Sequence, residues 1–234
     1  AGEMEFYKEE VRKNPDDAKA HYNLGVVYGE SGMYQEAIES FKQVIRIDPD
    51  NANTHYNLGL AYRKLGRYEE AIESYKQAIW IDPDFAKAHF SLGLAYYESG
   101  MYKEAIESFR QAIRIDPDFA KAHYNLGVVY GESGMYKEAI KSYKQAIWID
   151  PDYADAHNNL GIAYNNLGKR KKAIKSYKHA IRINPDDADA HYGLGLTYII
   201  LRDKSSALKQ HKILKKLDTK KAKKLLGMIY TELD

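Results

Sequence analysis

The chain contains six prolines, Pro15, Pro49, Pro83, Pro117, Pro151 and Pro185, and each lies 34 residues from the next. A fixed period of this length marks an array in which each unit is one supersecondary element that buries its apolar face only against its neighbours. Residues 18–51 and 120–153 agree at 28 of 34 positions, which points to duplication of a common unit. The period divides the chain into units 18–51, 52–85, 86–119, 120–153 and 154–187 and a degenerate sixth unit 188–219. A partial unit 1–17, read as a lone second helix, precedes them, and a capping helix 220–234 follows.

Within a unit, apolar and small residues recur twice at helical spacing, as in Leu24, Val27 and Tyr28 and again in Ala37, Phe41, Val44 and Ile45. Ser31-Gly32 separates the two runs, with Gly32 placed to end the first helix. Asp48-Pro49-Asp50 closes the second, because proline cannot continue a helix, and an Asp beside it is placed to cap the next one. Short turns at both ends force neighbouring helices to pack antiparallel. At the start, Glu3 to Asn14 reads as a second helix without its first, so the array is expected to begin mid-repeat. At the end, Leu226-Gly227-x2-Tyr230 repeats the first-helix pattern of Leu24-Gly25-x2-Tyr28.

Leu24-Gly25-x2-Tyr28, Ala37-x3-Phe41 and Pro49, with their recurrences, resemble the signature of the tetratricopeptide repeat family. The resemblance implies an all-α, right-handed α-solenoid of antiparallel helix pairs, a superhelix that serves protein–protein interaction. His21, His55, His89, His123, His157 and His191 stand where the general pattern has Trp. The run AHYNLG and the PDF or PDY endings are similar to the array of O-linked N-acetylglucosamine transferases.

Composition excludes several chemistries. Without cysteine there are no disulfides, no thiolate catalysis and no Cys-ligated zinc. The longest charge-free apolar-leaning run, Ala190 to Leu201, falls short of the ~18 residues that span a bilayer. The opening AGEMEFYKEE lacks the basic-then-apolar pattern of a leader, and a cytoplasmic location is favoured over a periplasmic one. Gly29-Glu30-Ser31-Gly32 is one residue short of a nucleophile elbow, and Gly193-Leu194-Gly195 lacks a third glycine. No enzyme activity, cofactor or metal is therefore expected. Histidines on helices packed roughly 8–10 Å apart do not approach the ~4 Å separation that sharing a zinc ion requires. They read as packing residues, and His179 and His211 as ordinary helix residues.

On the first helices, Lys19, Asn23, Val26 and Glu30 form a stripe distinct from the packing face of His21, Leu24 and Tyr28, with Tyr22 alongside. Across the units this stripe presents Tyr22, Tyr56, Phe90, Tyr124 and Tyr192, together with Asn23, Asn57, Asn125 and Asn159, Ser91 interrupting, and Lys87 and Lys121 nearby. In the transferase-like arrays, the resemblance implies, an asparagine ladder here holds an extended peptide by its backbone. One Asn per roughly 10 Å of stack meets an extended chain of about 3.3–3.6 Å per residue at every third residue. A chaperone-tail clamp fits less well, since only Asn57 and Lys87 match its pattern. The expected function is to hold an extended peptide or protein segment in a concave groove. A substrate-presenting arm of a larger glycosyltransferase-like enzyme and a self-assembling scaffold are the alternatives.

Two surface features complete the reading. Gly168 to Lys224 carries 17 basic against 5 acidic residues, and the rest of the chain 18 against 28, so the basic third is a candidate for an acidic partner. Trp80 and Trp148 occupy one register position, where Arg46, Arg114 and Arg182 stand in the other units. That alternation places the position on the outer face and makes the tryptophans candidates for convex-side self-association.

Overall fold

The computed structural model describes residues 2–233. Among them there are fourteen helices and no strand. Helix α1 (Gly2–Lys13) precedes six helix pairs. These are α2 (Ala18–Glu30) with α3 (Tyr34–Ile47), α4 (Ala52–Lys64) with α5 (Tyr68–Ile81), and α6 (Ala86–Glu98) with α7 (Tyr102–Ile115). There follow α8 (Ala120–Glu132) with α9 (Tyr136–Ile149), α10 (Ala154–Asn166) with α11 (Arg170–Ile183), and α12 (Ala188–Ile200) with α13 (Lys204–Leu217). Helix α14 (Thr219–Leu233) comes last. The class is an all-α array of tandem helix pairs of solenoid type. It divides between Pro117 and Asp118 into two compact units, α1–α7 and α8–α14.

Each of the first five pairs closes on one glycine–aromatic contact. A Cβ built on Gly59 would lie 2.6 Å from the ring of Tyr75, and one on Gly127 2.6 Å from that of Tyr143. Only glycine lets the aromatic ring of the second helix lie flat against the first helix's backbone. Beside it, Ala71 and Ala139 are fully buried, small enough for the helices to cross closely. The turn inside each pair needs a left-handed residue, and Gly66, for example, takes φ 72°. In the sixth pair Arg202 holds that conformation at φ 58°, the one non-glycine to do so among the described residues.

Capping departs from expectation. The residue that caps a first helix lies two positions after the proline: Asp17 accepts from Ala20 N, Asn51 from Thr54 N, and Asp187 from Ala190 N, each at 3.0 Å. Phe85 and Tyr153 occupy this place in other units and make no side-chain cap. The Asp before the proline instead closes the turn, Asp82 accepting from Asp84 N and Asp150 from Asp152 N, both at 3.2 Å. An N-cap must be the extended residue directly ahead of the first helical turn, and the turn uses up the residues flanking the proline.

The histidines secure that same turn. Nε2 of His21, His55, His89, His157 and His191 lies 2.8–3.0 Å from the carbonyl oxygen of the proline six residues earlier. A carbonyl only accepts, so Nε2 carries the proton and donates. Each imidazole thereby ties the inter-unit turn to its first helix.

Helix α14 corrects the expected register. Its buried residues are Ala222, Leu225 and Ile229, whereas Gly227 has open space around it and Tyr230 is exposed. Leu225 fills the place above Gly195, whose added Cβ would lie 2.6 Å from it. The helix turns its Ala222–Leu225–Ile229 stripe, and not the face of Gly227 and Tyr230, onto α12 and α13.

Candidate functional site

The aromatic residues of the first-helix stripe are held by the second helices. Tyr22 lies 6.0 Å from Phe41, Tyr56 6.0 Å from Tyr75, Phe90 5.7 Å from Phe109 and Tyr124 5.9 Å from Tyr143, centroid to centroid. Tyr56 and Tyr124 also meet Phe85 and Tyr153 of the following turn at 5.0 and 4.8 Å. These rings are half-buried walls of the stripe rather than open platforms.

The asparagines fall into two states. Asn57 Nδ2 donates to the Tyr22 hydroxyl at 2.9 Å, and Asn159 Nδ2 to that of Tyr124 at 3.0 Å. Phe90 stands 35 residues before Asn125, where Tyr22 and Tyr124 precede Asn57 and Asn159, and Asn125 donates instead to the Lys121 carbonyl of its own helix at 2.8 Å. An amide has two N–H donors and an acceptor oxygen. The tyrosine bond orients Asn57 and Asn159 and still leaves each a donor and an acceptor. Lys87 and Lys121 are exposed, Asn23 is half-buried, and Tyr192 has the Lys224 ammonium 5.7 Å from its ring.

Clefts recur between successive first helices. One of about 300 Å³ lies between α2 and α4 on Val26, Tyr34, Phe41, Asn57 and Leu60. One of about 250 Å³ lies between α8 and α10 on Val128, Tyr136, Tyr143, Asn159 and Ile162. Between α10 and α12 the corresponding cleft reaches about 700 Å³. At the matching position between α4 and α6, an Arg63–Glu98 ion pair of 2.7 Å spans the two helices.

Burial governs the protonation of the tyrosines. Desolvation raises Tyr124, assisted by the Asp155 charge and opposed by the bond from Asn159. It pushes Tyr153 and Tyr177 up to about 12 and Tyr75 higher still. All are neutral phenols at physiological pH, acting as hydrogen-bonding walls and not as bases.

Three residues of the cleft between α10 and α12, Asn158, Asn165 and Arg170, escape a reading of the repeats by their common pattern. Asn158 stands in the tyrosine position of the stripe, and Arg170 in the position of Tyr34 and Tyr136. Asn165 Nδ2 donates to Thr197 Oγ1 at 2.7 Å and to the Tyr177 hydroxyl at 3.3 Å, while Arg170 donates to the Asn165 carbonyl. The available signal was departure from consensus, concentrated at the junction of the fifth and sixth units. On the other side of the hairpins, Trp80 in α5 is 76% exposed and Trp148 in α9 75% exposed. No helix among the described residues is long and apolar enough to cross a membrane.

Comparison with known proteins agrees with this geometry. The TPR repeat model matches residues 30–66, 59–100, 93–134, 129–168 and 164–199, and a tetratricopeptide repeat model matches residues 6–39. No curated protein matches the chain. A crystal structure of MamA is 33% identical, covering 70% of this chain and 96% of its own, with a TM-score of 0.67. The structure of YrrB, titled a TPR protein with an unusual peptide-binding site, is 23% identical, covers 79% of this chain and 95% of its own, and has a TM-score of 0.67. The C-terminal part of a TPR repeat-containing protein from Cytophaga hutchinsonii is 21% identical, covers 95% of this chain and 93% of its own, and has a TM-score of 0.79. With family models covering residues 6–199, well over half of its length, the chain belongs to the tetratricopeptide repeat family.

Proposed function

We propose that the first-helix stripe binds an extended peptide or protein segment, and that the protein is an interaction module without catalysis of its own. The observation that carries this reading is the orientation of Asn57 and Asn159 by Tyr22 and Tyr124. A side chain already held in place pays less to order on binding, and each retains a donor and an acceptor for a peptide unit. Lys87 and Lys121 add charge beside the stripe, and Tyr22, Tyr56, Phe90 and Tyr124 supply its walls. The test is a peptide selected from a random library on the whole protein, titrated by calorimetry against wild type and Asn57→Ala/Asn159→Ala. Loss of the backbone hydrogen bonds should weaken binding by about 1–3 kcal/mol with helicity retained. Selected peptides that ignore the double substitution would refute the ladder.

A second surface has its own observation. Trp80 and Trp148 expose three-quarters of their surface at a register position held by arginine in the first, third and fifth units. We infer that these tryptophans serve self-association, each over an arginine of a second copy, a cation–π contact worth about 0.5–2 kcal/mol. Sedimentation of wild type against Trp80→Arg/Trp148→Arg tests it. A wild type that stays monomeric at high concentration ends this reading.

A further inference from the structure

The cleft between α10 and α12 has more than twice the volume of those between α2 and α4 or α8 and α10. Three substitutions that coincide at this junction account for the difference. The tyrosine of Tyr22, Tyr56 and Tyr124 becomes Asn158; the asparagine of Asn57 and Asn159 becomes Gly193; and the tyrosine of Tyr34 and Tyr136 becomes Arg170. Each is unremarkable alone. Together they remove two rings and an amide from one spot.

What the regular units keep there defines the shape of a guest. In them a ring packs 5.7–6.0 Å from the second-helix aromatic, as Tyr124 does on Tyr143. Tyr177 is the second-helix aromatic of the fifth unit, and it lines the enlarged cleft where Asn158 replaces the ring. Gly161 and Gly193 both let Tyr177 approach, an added Cβ lying 2.7 and 2.6 Å from its ring. Bonds from Asn165 to Tyr177 and Thr197, and from Arg170 to Asn165, brace the polar wall. In that wall Asn158 Oδ1 is buried with no hydrogen-bond partner, an arrangement costly unless something donates to it. Leu196 and Ile200 provide the apolar side.

The surroundings select by charge. Arg170 lines the cleft, Lys169, Lys171 and Lys172 flank it in sequence and are exposed, and Asp189 opposite is already paired with Lys221 at 3.1 Å. We propose that this cleft is a socket for a tyrosine-type side chain carried on an acidic segment. The ring packs on Tyr177, its hydroxyl donates to Asn158 Oδ1, and flanking carboxylates meet Arg170 and its neighbouring lysines. The socket deepens the proposed function by naming the side chain and charge that the bound segment would carry, and it rests on that reading only for the path of the segment's backbone.

The experiment uses three acetylated, amidated pentapeptides: Glu-Asp-Tyr-Asp-Glu, its Ala-centred analogue and a Lys-flanked Tyr analogue, with p-cresol as a probe of the socket alone. On the whole wild-type protein, the acidic Tyr peptide should bind about tenfold more tightly than the Ala analogue. It should also bind more tightly than the Lys-flanked peptide, with affinity falling as salt rises. Filling the socket with Asn158→Tyr should abolish the preference for Tyr while the thermal transition stays or rises. As a check that needs no variant, p-cresol should give intermolecular NOEs to Tyr177, Leu196 and Ile200 of wild type. Equal binding of the Tyr and Ala peptides, an unaltered Asn158→Tyr variant, or p-cresol NOEs elsewhere or absent would each overturn the socket. p-Cresol binding more tightly than the Tyr peptide would overturn the segment as its source. If the socket holds while library-selected peptides ignore Asn57→Ala/Asn159→Ala, the asparagine ladder fails alone.

Discussion

Asn159 donates a hydrogen bond of 3.0 Å to the hydroxyl of Tyr124, one helix pair earlier, and so couples these two successive first helices through their asparagine–tyrosine stripe. Tyr124→Phe removes the acceptor while keeping the ring on Tyr143. Asn159 should then lose its fixed orientation, and a double-mutant cycle with Asn159→Ala should give a coupling of ~1 kcal/mol in urea melts. Strict additivity of the two single variants would show that the bond contributes nothing net.

The glycine–aromatic contact makes a sharper claim about packing. Gly59→Ala places a methyl group 2.6 Å from the Tyr75 ring, against a fully buried residue that cannot swing aside. Overpacking of this kind costs about 1–3 kcal/mol. Gly227→Ala adds the same atom into open space on α14, and removing a helical glycine there should stabilise by about 0.5–1 kcal/mol. Thermal melts of the two variants should therefore move in opposite directions.

Arg202 is held at φ 58°, the conformation that glycine supplies in the other turns. A non-glycine residue in this region costs on the order of 1–2 kcal/mol. Arg202→Gly should raise the unfolding midpoint of the C-terminal helices, seen as slower amide exchange in α12 and α13. Unchanged or faster exchange there would mean that Arg202 makes compensating interactions.

Alkaline pH should unfold the array through its buried phenols. Tyr153 and Tyr177 are raised by burial to about 12, and Tyr75 further in the same direction. An unfolded tyrosine ionises near pH ~10, so above that value the unfolded state binds fewer protons than the folded one, and stability falls as pH rises. The stabilisation is complete below pH ~10 and is lost as the folded-state values are passed. Tyr177→Phe should flatten the decline between pH ~10 and ~12. A urea midpoint independent of pH across that window would contradict the assignment.

Much of this architecture is legible in residue order because its causes are local. Proline every 34 residues ends helices wherever it falls, Gly66 and its equivalents take the left-handed turn because side chains resist it, and the periodic apolar positions leave each helix one face to bury. The exposure of Trp80 and Trp148 follows from the same logic, since the position alternates with arginine. The placing of the caps at Asn51 and its equivalents, two positions after the proline and not on an Asp beside it, does not, because capping depends on which residue stays extended after the turn.

The rest required the tertiary structure, because its causes are distances between residues far apart in the chain. Asn57 and Asn125 look equivalent in sequence. One reaches a tyrosine hydroxyl 35 residues away and the other its own helix. The Leu226-Gly227-x2-Tyr230 motif of α14 copies a packing face, yet it is the stripe of Ala222, Leu225 and Ile229 that packs onto α12 and α13. Asn158, Arg170 and Gly193 lie on three helices and open one cleft only because folding brings their positions together. Helix location is set by local conformational preference, which residue order carries. The choice of side-chain partner and the volume left between helices are set by packing of the whole hairpin stack, which it does not.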